Sequence, residues 1–312
     1  MLNNNKITTF LTKNKFHLSE WFGEKTIKRE GEFVSTQPAN TKIPQSVTFC
    51  ESRQFIRTIN NNKNVTCVIT IKSFLNQFDS RLGIIVTEKP RTKFYKLHNS
   101  LSKEFSNKSF FNPCIKRSAK IHKTAFVAED CYIGENVEIG PGVLVLSNSY
   151  IEDEVYIGPN VVIGADGLEY KRLDETEKLI RIAHIGGVYL ETEVEIKANT
   201  VVCRDVYFGF TVVGEGTKIG PLCNIAHRSN IGNYCMIAGN STIGGSARIG
   251  DMVWLGPSST ISDNICVGDH AKVSLGSVVV KDVKPGQTVS GNFALDHSIS
   301  IRDFAKRINR GQ

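Results

Sequence analysis

Residues 219–280 read IGPLCNIAHRSNIGNYCMIAGNSTIGGSARIGDMVWLGPSSTISDNICVGDHAKVSLGSVVV, and an aliphatic residue recurs there at every sixth position from Ile219 to Val279. A six-residue period fits neither an α-helix nor a half-buried strand, but it is typical of hexapeptide β-helices. Three hexads close one coil around a stacked aliphatic column. The fifth hexad position, which must fit a tight corner, is mostly small: Cys223, Ser229, Cys235, Ser241, Ala247, Ser259, Ala271 and Ser277.

The same period begins much earlier in the chain. A first array carries aliphatic anchors at Ile115, Ile121, Val127, Ile133, Ile139, Val145, Ile151, Ile157 and Ile163. The polar segment 169–181 contains no anchor, so we expect a loop ejected from the coils, and such insertions are usually functional or disordered. The period resumes at Leu190, slips between Asp205 and Phe210, and restarts at Val213.

The remaining segments divide the chain into three predicted domains. Residues 1–110 are predicted to form an α/β domain, residues 111–285 the β-helix, and residues 286–312 an extension whose helix, 300–309, caps the last coil. The strands expected in the first domain are 47–50, 65–71 and 82–86, and its helices are 52–60 and 90–105. Pro90 suits the first position of the second helix.

Composition excludes several classes of protein. The chain has 312 residues, a formal net charge of +7 and eight cysteines without metal-binding spacing. Its basic residues are scattered and form no nucleic-acid-binding motif, so we expect no nucleic-acid partner and no metal. An anionic small substrate or an acidic carrier protein suits the charge equally. No apolar run is long enough to span a membrane and the N-terminus is polar, which favours a cytoplasmic protein.

Five blocks of residues together carry a closer resemblance. They are Phe49-Cys50-Glu51-Ser52-Arg53-Gln54-Phe55, Ile163-Gly164-Ala165-Asp166-Gly167, Ile185-Gly186-Gly187-Val188, Leu222-Cys223-Asn224-Ile225-Ala226-His227 and Ile237-Ala238-Gly239. In this order and spacing the sequence resembles UDP-3-O-acylglucosamine N-acyltransferases over residues 46–290. The resemblance implies a homotrimer of left-handed parallel β-helices with active sites between neighbouring subunits. It also implies transfer of an acyl group from a phosphopantetheine thioester, on acyl carrier protein or CoA, to the amine of a UDP-linked amino sugar, with no permanently bound cofactor.

The resemblance assigns roles to individual residues. The catalytic base falls on His227, and the glycine whose N–H receives the oxyanion falls on Gly245. The nucleotide-sugar candidates are Phe49, Ser52, Phe55, Asn224 and His184, the last because it lies beside the Gly186-Gly187 turn. The candidates for the acyl donor are Ala238, Gly239, Gly256 and Asn264, joined by basic C-terminal residues such as Arg302, Lys306 and Arg307.

The chain departs from the family at six positions, two of which are Ser52 and Phe55, in place of the uridine-contacting Asn and Tyr. It has Gly220 where the family has an Asp that orients the catalytic His, Asn224 in place of a Gln, Asn264 in place of a second His, and Cys203 in place of an acidic residue. Three alternatives stand beside this interpretation. They are an acetyl-CoA-dependent N- or O-acetyltransferase for O-antigen or capsule sugars, a zinc-dependent carbonic anhydrase, which would need a set of His across adjacent coils that is not spaced in this chain, and a non-catalytic assembly subunit. The first is favoured by the similarity of residues 284–292 to the end of such acetyltransferases.

Overall fold

The computed structural model describes residues 15–105, 109–172, 178–291, 296–299, 302 and 306. Within them a small α/β unit precedes a long β-helix. The helix expected over 300–309 lies outside the described residues except for Arg302 and Lys306. The division of the chain at residues 110 and 285 stays a prediction.

The α/β unit has five strands in one mixed sheet, with spatial order β2-β7-β6-β5-β4. Its strands are β1 (Phe16–His17), β2 (Ile27–Arg29), β3 (Glu32–Phe33), β4 (Ser35–Thr36), β5 (Ser46–Cys50), β6 (Val65–Thr70) and β7 (Gly83–Val86), where β1 and β3 form a separate pair. Its helices are α1 (Leu18–Trp21), α2 (Ile56–Asn61) and α3 (Pro90–Phe105). The helix expected over 52–60 instead begins as a 3₁₀ turn, Arg53–Phe55, and continues as α2.

The coils form a left-handed parallel β-helix with three faces, which we name sheets 1, 2 and 3 in the order the chain visits them. Sheet 1 contains β8 (Cys114–Ile115), β11 (Tyr132–Ile133), β14 (Ser149–Ile151), β19 (Gly187–Leu190), β22 (Phe210–Val213), β25 (Asn230–Ile231), β28 (Arg248–Ile249) and β31 (Cys266–Val267). Sheet 2 contains β9 (Lys120–Ile121), β12 (Glu138–Ile139), β15 (Tyr156–Ile157), β20 (Glu195–Ile196), β23 (Lys218–Ile219), β26 (Met236–Ile237), β29 (Trp254–Leu255), β32 (Lys272–Val273) and β34 (Thr288–Val289). Sheet 3 contains β10 (Phe126–Val127), β13 (Leu144–Val145), β16 (Val162–Ala165), β21 (Val201–Cys203), β24 (Asn224–Ile225), β27 (Thr242–Ile243), β30 (Thr260–Ile261) and β33 (Val278–Val279).

The predicted anchors form the core of this helix. Ile225 pairs in register with Ile243 on the next coil, and Ile243 pairs with Ile261, so the same side chain position stacks from coil to coil. All three are almost fully buried. Small corner residues such as Cys223 and Ser229 are buried beside them, as the hexad pattern predicts.

The chain leaves the coils twice, and both times at the corner between sheet 3 and sheet 1. The first excursion runs from β16 to β19 and forms an antiparallel hairpin, β17 (Tyr170–Arg172) with β18 (Leu179–Arg181). The second runs from β21 to β22. The predicted ejected segment is therefore ordered into a hairpin where the structure describes it.

Both excursions pack against the α/β unit. Their apolar residues join one buried cluster with helix α3, comprising Ile182, Ile185, Val206, Phe208, Phe94, Leu97, Leu101 and Phe105. The hairpin is also tied to α3 by Asn99, whose side chain bonds the backbone of Arg181 at 2.8 Å and of Ala183 at 3.0 Å. The excursions thus fix the α/β unit to one corner of the β-helix.

Candidate active site

His227 lies at the corner between sheets 3 and 1, immediately after the two excursions in the same column of turns. The chain reaches it from β24 and leaves it toward β25. Its side chain is 22% exposed, and its Nδ1 atom is buried without a hydrogen-bond partner among the described residues. This setting differs from that of His122 and His270, two further coil histidines, which are exposed.

Gly245 occupies the equivalent turn one coil further on, directly against the His227 ring. A Cβ atom added there would lie 2.7 Å from His227 Cε1 and 2.8 Å from Nε2, so only glycine leaves room for the imidazole. The Gly245 N–H donates to no group among the described residues. At another corner, by contrast, the N–H of Asn233 is taken by the Asp251 carboxylate at 2.8 Å. The structure therefore places an imidazole and a free backbone donor side by side, the two kinds of group that acyl transfer requires.

His184 approaches the same ring from the first excursion. The two imidazoles lie 6.0 Å apart, edge to face, and the Gly167 N–H donates to His184 Nε2 at 3.1 Å. Because Nε2 accepts this bond, the neutral His184 ring carries its proton on Nδ1. Burial lowers the pKa of His184 below its ordinary value, and the opposing charge of Asp166 does not overcome this. His184 is therefore a neutral neighbour of His227 at neutral pH.

A carboxylate that the sequence did not indicate also faces His227. Glu169, in the first excursion, places Oε2 at 3.7 Å from His227 Nε2, and its side chain is only 14% exposed. Its other oxygen, Oε1, pairs with Lys171 Nζ at 2.7 Å. No spacing rule links positions 169 and 227, because their proximity depends on the path of the excursion.

Two further acidic residues lie close by. Asp166 forms ion pairs with Arg181 and Arg204; burial alone would raise its pKa, but these cations hold the pKa below its ordinary value. Asp205 is almost fully buried in the second excursion, and burial raises its pKa, although the charge of Arg228 opposes the shift. Of the two, Asp166 is ionised at neutral pH, and its ion pairs with Arg181 and Arg204 connect the first excursion to the second.

The predicted uridine-binding residues lie on the α/β unit, apart from the coil corner. Phe49 packs on Phe94 with ring centroids 5.0 Å apart, and the Arg91 guanidinium lies 5.9 Å from its ring centroid. Phe55 is exposed and Ser52 half-buried at the 3₁₀ turn. A chain of contacts leads from Phe49 toward the site, because Tyr95 lies 6.1 Å from Phe49 and Lys171 Nζ lies 5.9 Å from the Tyr95 ring.

The other predicted residues fall at two corners of the coil. Asn264 lies in the turn after Gly245, to whose carbonyl its N–H donates at 2.9 Å. Asn224 lies on β24 with its side chain exposed. The residues Gly220, Ala238, Gly239 and Gly256 lie instead at the corner between sheets 2 and 3.

Gly220 therefore does not face His227 of the same chain. A Cβ atom at position 220 would lie 2.5 Å from the backbone nitrogen of Gly239, so the coils pack too closely for a larger residue without a shift. Only six residues lie between positions 220 and 227, but strand β24 runs between them and places them at different corners. Within one chain, the predicted acyl-donor residues at 238, 239 and 256 are not brought together with the predicted base.

A cleft of about 540 Å³ opens beside the site, between α3 and the excursions. Its lining includes His184, Asp166 and Arg204 but not His227.

Among the residues that the structure describes, no group of three or more His, Cys, Asp or Glu side chains is arranged to hold a metal ion. No helix in the same part of the chain is long and apolar enough to cross a membrane.

Comparison with known proteins identifies relatives. The family model "Bacterial transferase hexapeptide (six repeats)" matches residues 210–245. UDP-3-O-acylglucosamine N-acyltransferase 1 of Legionella pneumophila (strain Paris) is 28% identical over 231 residues, covering 62% of this chain and 61% of that protein. UDP-3-O-acylglucosamine N-acyltransferase of Helicobacter pylori (strain ATCC 700392 / 26695) is 27% identical over 212 residues, covering 60% and 61%. The chain thus spans about three fifths of the length of these curated relatives.

Among solved structures, the UDP-N-acetylglucosamine acyltransferase from Campylobacter jejuni is 24% identical, with a TM-score of 0.47, covering 63% of this chain and 82% of that one. The sequence matches agree with the resemblance that the motif blocks indicate. The chain is a hexapeptide-repeat β-helix protein related in sequence to UDP-3-O-acylglucosamine N-acyltransferases.

Proposed function

We propose that the protein is an acyltransferase that moves an acyl group from a phosphopantetheine thioester to the amine of a UDP-linked amino sugar. The observation that carries this proposal is the contact between His227 and Gly245, whose backbone N–H is free. The curated relatives, which bear the name of this activity, supply the substrate class.

The proposed step needs only groups that this corner provides. The sugar amine attacks the thioester carbonyl carbon, forming a C–N bond while His227 takes the proton from nitrogen. The Gly245 N–H stabilises the negative charge that develops on the carbonyl oxygen. The C–S bond then breaks, and the protonated imidazole returns its proton so that the phosphopantetheine leaves as a thiol.

The nucleotide is proposed to bind along the contacts that lead from Phe49 to the corner. Phe49 offers a partly exposed ring for a base. Arg91 supplies positive charge beside that ring, and Lys171 supplies it near Tyr95 and Glu169. Such an arrangement suits a nucleoside diphosphate, whose phosphates separate the base from the sugar. Calorimetry should show a preference for UDP over other nucleoside diphosphates, and equal affinities would contradict this assignment.

A homotrimer is proposed because the two predicted sets of residues lie at different corners of one coil. Sheet 3 separates these corners and exposes the apolar side chains of Phe126, Leu144 and Val278. Packing sheet 3 of three β-helices around a threefold axis would cover this surface. It would also bring the corner of one subunit that carries His227 close to the corner of its neighbour that carries the predicted acyl-donor residues. Light scattering at micromolar concentration should give three times the chain mass, and a monomeric mass would contradict the assembly.

A mass-spectrometric screen tests the reaction directly. UDP-linked amino sugars would be incubated with acyl carrier protein thioesters of several chain lengths and with acetyl-CoA. Acylation of the sugar amine is the expected product. Use of acetyl-CoA alone would instead identify the acetyltransferase alternative, and no transfer from any donor would contradict an acyltransferase function.

His227→Ala provides the residue-level test. We expect kcat to fall by about 10²- to 10⁴-fold, the usual effect of removing a positioned general base. His270→Ala is the matched control, because His270 also lies in a coil turn but is exposed. Full turnover by the His227→Ala protein on the identified substrate would show that the base lies elsewhere.

A further inference from the structure

We infer that Glu169 is a positioning residue that holds His227 in its orientation and stabilises the protonated form of its ring. The inference rests on the proposed role of His227 as the base. Oε2 of Glu169 lies 3.7 Å from His227 Nε2, and both side chains are mostly buried. A carboxylate at this distance, partly shielded from water, favours the imidazolium that forms when the ring takes a proton.

The ring has little freedom to turn away from this carboxylate. A Cβ atom at Gly167 would lie 3.1 Å from His227 Cδ2, and one at Gly245 would lie 2.7 Å from Cε1. The imidazole is therefore enclosed by two glycine backbones, one from the first excursion and one from the next coil. Glu169 lies only two residues beyond Gly167, so the segment that confines the ring also supplies its charged partner.

The segment that carries Glu169 is itself held firmly. The Glu169 carbonyl accepts a hydrogen bond from the Ile182 N–H at 2.9 Å, across the base of the hairpin. Ile182 is fully buried against α3, and Asp166 joins Arg181 to Arg204. These contacts fix the backbone on both sides of Glu169 relative to the corner that carries His227.

Several other titratable or charged groups influence this pair, including buried His98 and Tyr207, which interact with the charge of Glu169. His184 lies on one side of the ring, but its lowered pKa keeps it neutral near pH 7. Asp205 approaches from the second excursion and interacts with His227 through its charge. Lys171 binds the second carboxylate oxygen of Glu169 at 2.7 Å and so offsets part of its negative charge.

Glu169 reaches His227 from within the same chain. Gly220, by contrast, lies at another corner, packed on Gly239. We therefore expect the orientation of the ring to depend on the first excursion.

Two opposite substitutions test the inference. Glu169→Gln keeps the size of the side chain but removes its charge, so the protonated ring that forms during the reaction loses its anionic partner. We expect kcat to fall about tenfold with KM little changed, and Glu169→Asp to restore part of kcat. Lys171→Met removes the competing cation and should raise kcat.

Glu195→Gln is the matched control, because Glu195 also pairs with lysines but lies on sheet 2, away from this corner. It should leave kcat and KM unchanged. An unchanged kcat in both Glu169→Gln and Lys171→Met would overturn the inference.

A measurement on the protein without substrate separates this inference from the proposed function. The NMR signals of the His227 ring at a fixed pH should differ between Glu169→Gln and the wild type, and should not change in Glu195→Gln. If they differ while His227→Ala retains full turnover, the contact between the two residues stands and the proposed base is wrong. Identical ring signals in Glu169→Gln and the wild type would overturn the role of Glu169 even if His227 proves essential.

Discussion

The regular coils, before Ile163 and after Val213, differ from the segment between these residues at the corner that joins sheet 3 to sheet 1. After Val213 each strand pairs in strict register with the strand one coil on, from Ile231 with Ile249 to Ile261 with Val279. Between Ile163 and Val213 the chain leaves the coil twice at one corner. Glu169, His184 and Asp205, the titratable neighbours of the His227 ring described above, all belong to these departures.

The regular coils stabilise the fold, whereas the excursions carry the titratable groups of the candidate site. A regular coil buries one aliphatic residue per strand against identical neighbours, and its polar groups are satisfied by the parallel ladder. Such a coil offers a flat surface with no enclosed group. The excursions cover one corner, desolvate its side chains and bring charges together, which are the conditions under which an imidazole can act as a base.

The largest expected change is a loss of stability in the regular coils. Ile157 is fully buried and pairs in register with Ile139 and Ile196 on the adjacent coils. Ile157→Ala should lower the free energy of unfolding by about 2 to 5 kcal/mol, because stacked coils cannot collapse to fill the cavity. Chemical denaturation at a fixed protein concentration measures this loss.

The excursion provides the contrasting substitution. Leu168 lies between Gly167 and Glu169 but is 88% exposed, so Leu168→Ala should change the free energy of unfolding by less than about 0.5 kcal/mol. If Leu168→Ala destabilised the protein as much as Ile157→Ala, the separation between a stabilising scaffold and a functional excursion would be wrong.

A somewhat smaller effect is expected from acid, and it should act on the excursion. His98 of α3 is fully buried, accepts from Thr36 Oγ1 at 2.7 Å through Nδ1 and donates to the Ala183 carbonyl at 2.8 Å. Burial lowers its pKa from 6.5 to about 4. Because the unfolded chain binds this proton more readily, stability is lost as the pH falls from about 6.5 to about 4, by about 3 kcal/mol in total.

The raised pKa of Asp205 has the opposite effect, because it adds stability as the pH falls. Asp205 is present in both the wild type and His98→Gln, so the difference between the two proteins isolates the contribution of His98. Denaturation curves at pH 7 and pH 4.5 should differ less for the variant than for the wild type. Hydrogen exchange at low pH should increase first around residues 178–185, before the coils after Val213. An equal pH dependence in the two proteins would contradict the assignment to His98.

Most of the fold could be predicted from the sequence because its cause is local and repeated. The hexad anchors from Ile115 to Val279 occupy strands at the expected spacing, and α3 spans residues 90–105 as the pattern indicates. The hairpin β17–β18 could not be predicted in the same way. Its strands are only three residues long, and the hairpin is fixed by contacts with α3 that are distant in sequence.

The site was predictable only where a motif carried it. The block around His227 indicated the proposed base, and the structure packs Gly245 closely on its ring. The block gave no indication of Glu169, which faces His227 across 58 positions of sequence. The resemblance also suggested that residue 220 orients His227. In the structure strand β24 lies between the two residues and places them at different corners of the coil. Contacts made by an excursion are set by tertiary packing, and no sequence period encodes them.

The smallest expected effect concerns turns with left-handed backbone conformation. Asn136, Asn160 and Asn240 adopt positive φ at coil turns, as does Met252, with φ of 55°. Asparagine tolerates this conformation better than methionine, and the Met252 side chain is exposed. Met252→Asn should therefore raise the free energy of unfolding by about 0.5 kcal/mol without altering turnover.

Arg228 tests whether the same substitution acts differently at the corner covered by the excursions. Its φ is 61°, close to that of Met252, so asparagine would relieve the backbone equally. However, its guanidinium lies 5.6 Å from the Tyr207 ring centroid, and its charge opposes the raised pKa of buried Asp205. Arg228→Asn should consequently lower both stability and turnover, because the lost contact with Tyr207 and the uncompensated Asp205 outweigh the relief of the backbone. Stabilisation of the Arg228→Asn protein to the extent seen for Met252→Asn would show that the two corners are equivalent, and the distinction between regular coil and excursion would not extend to their turns.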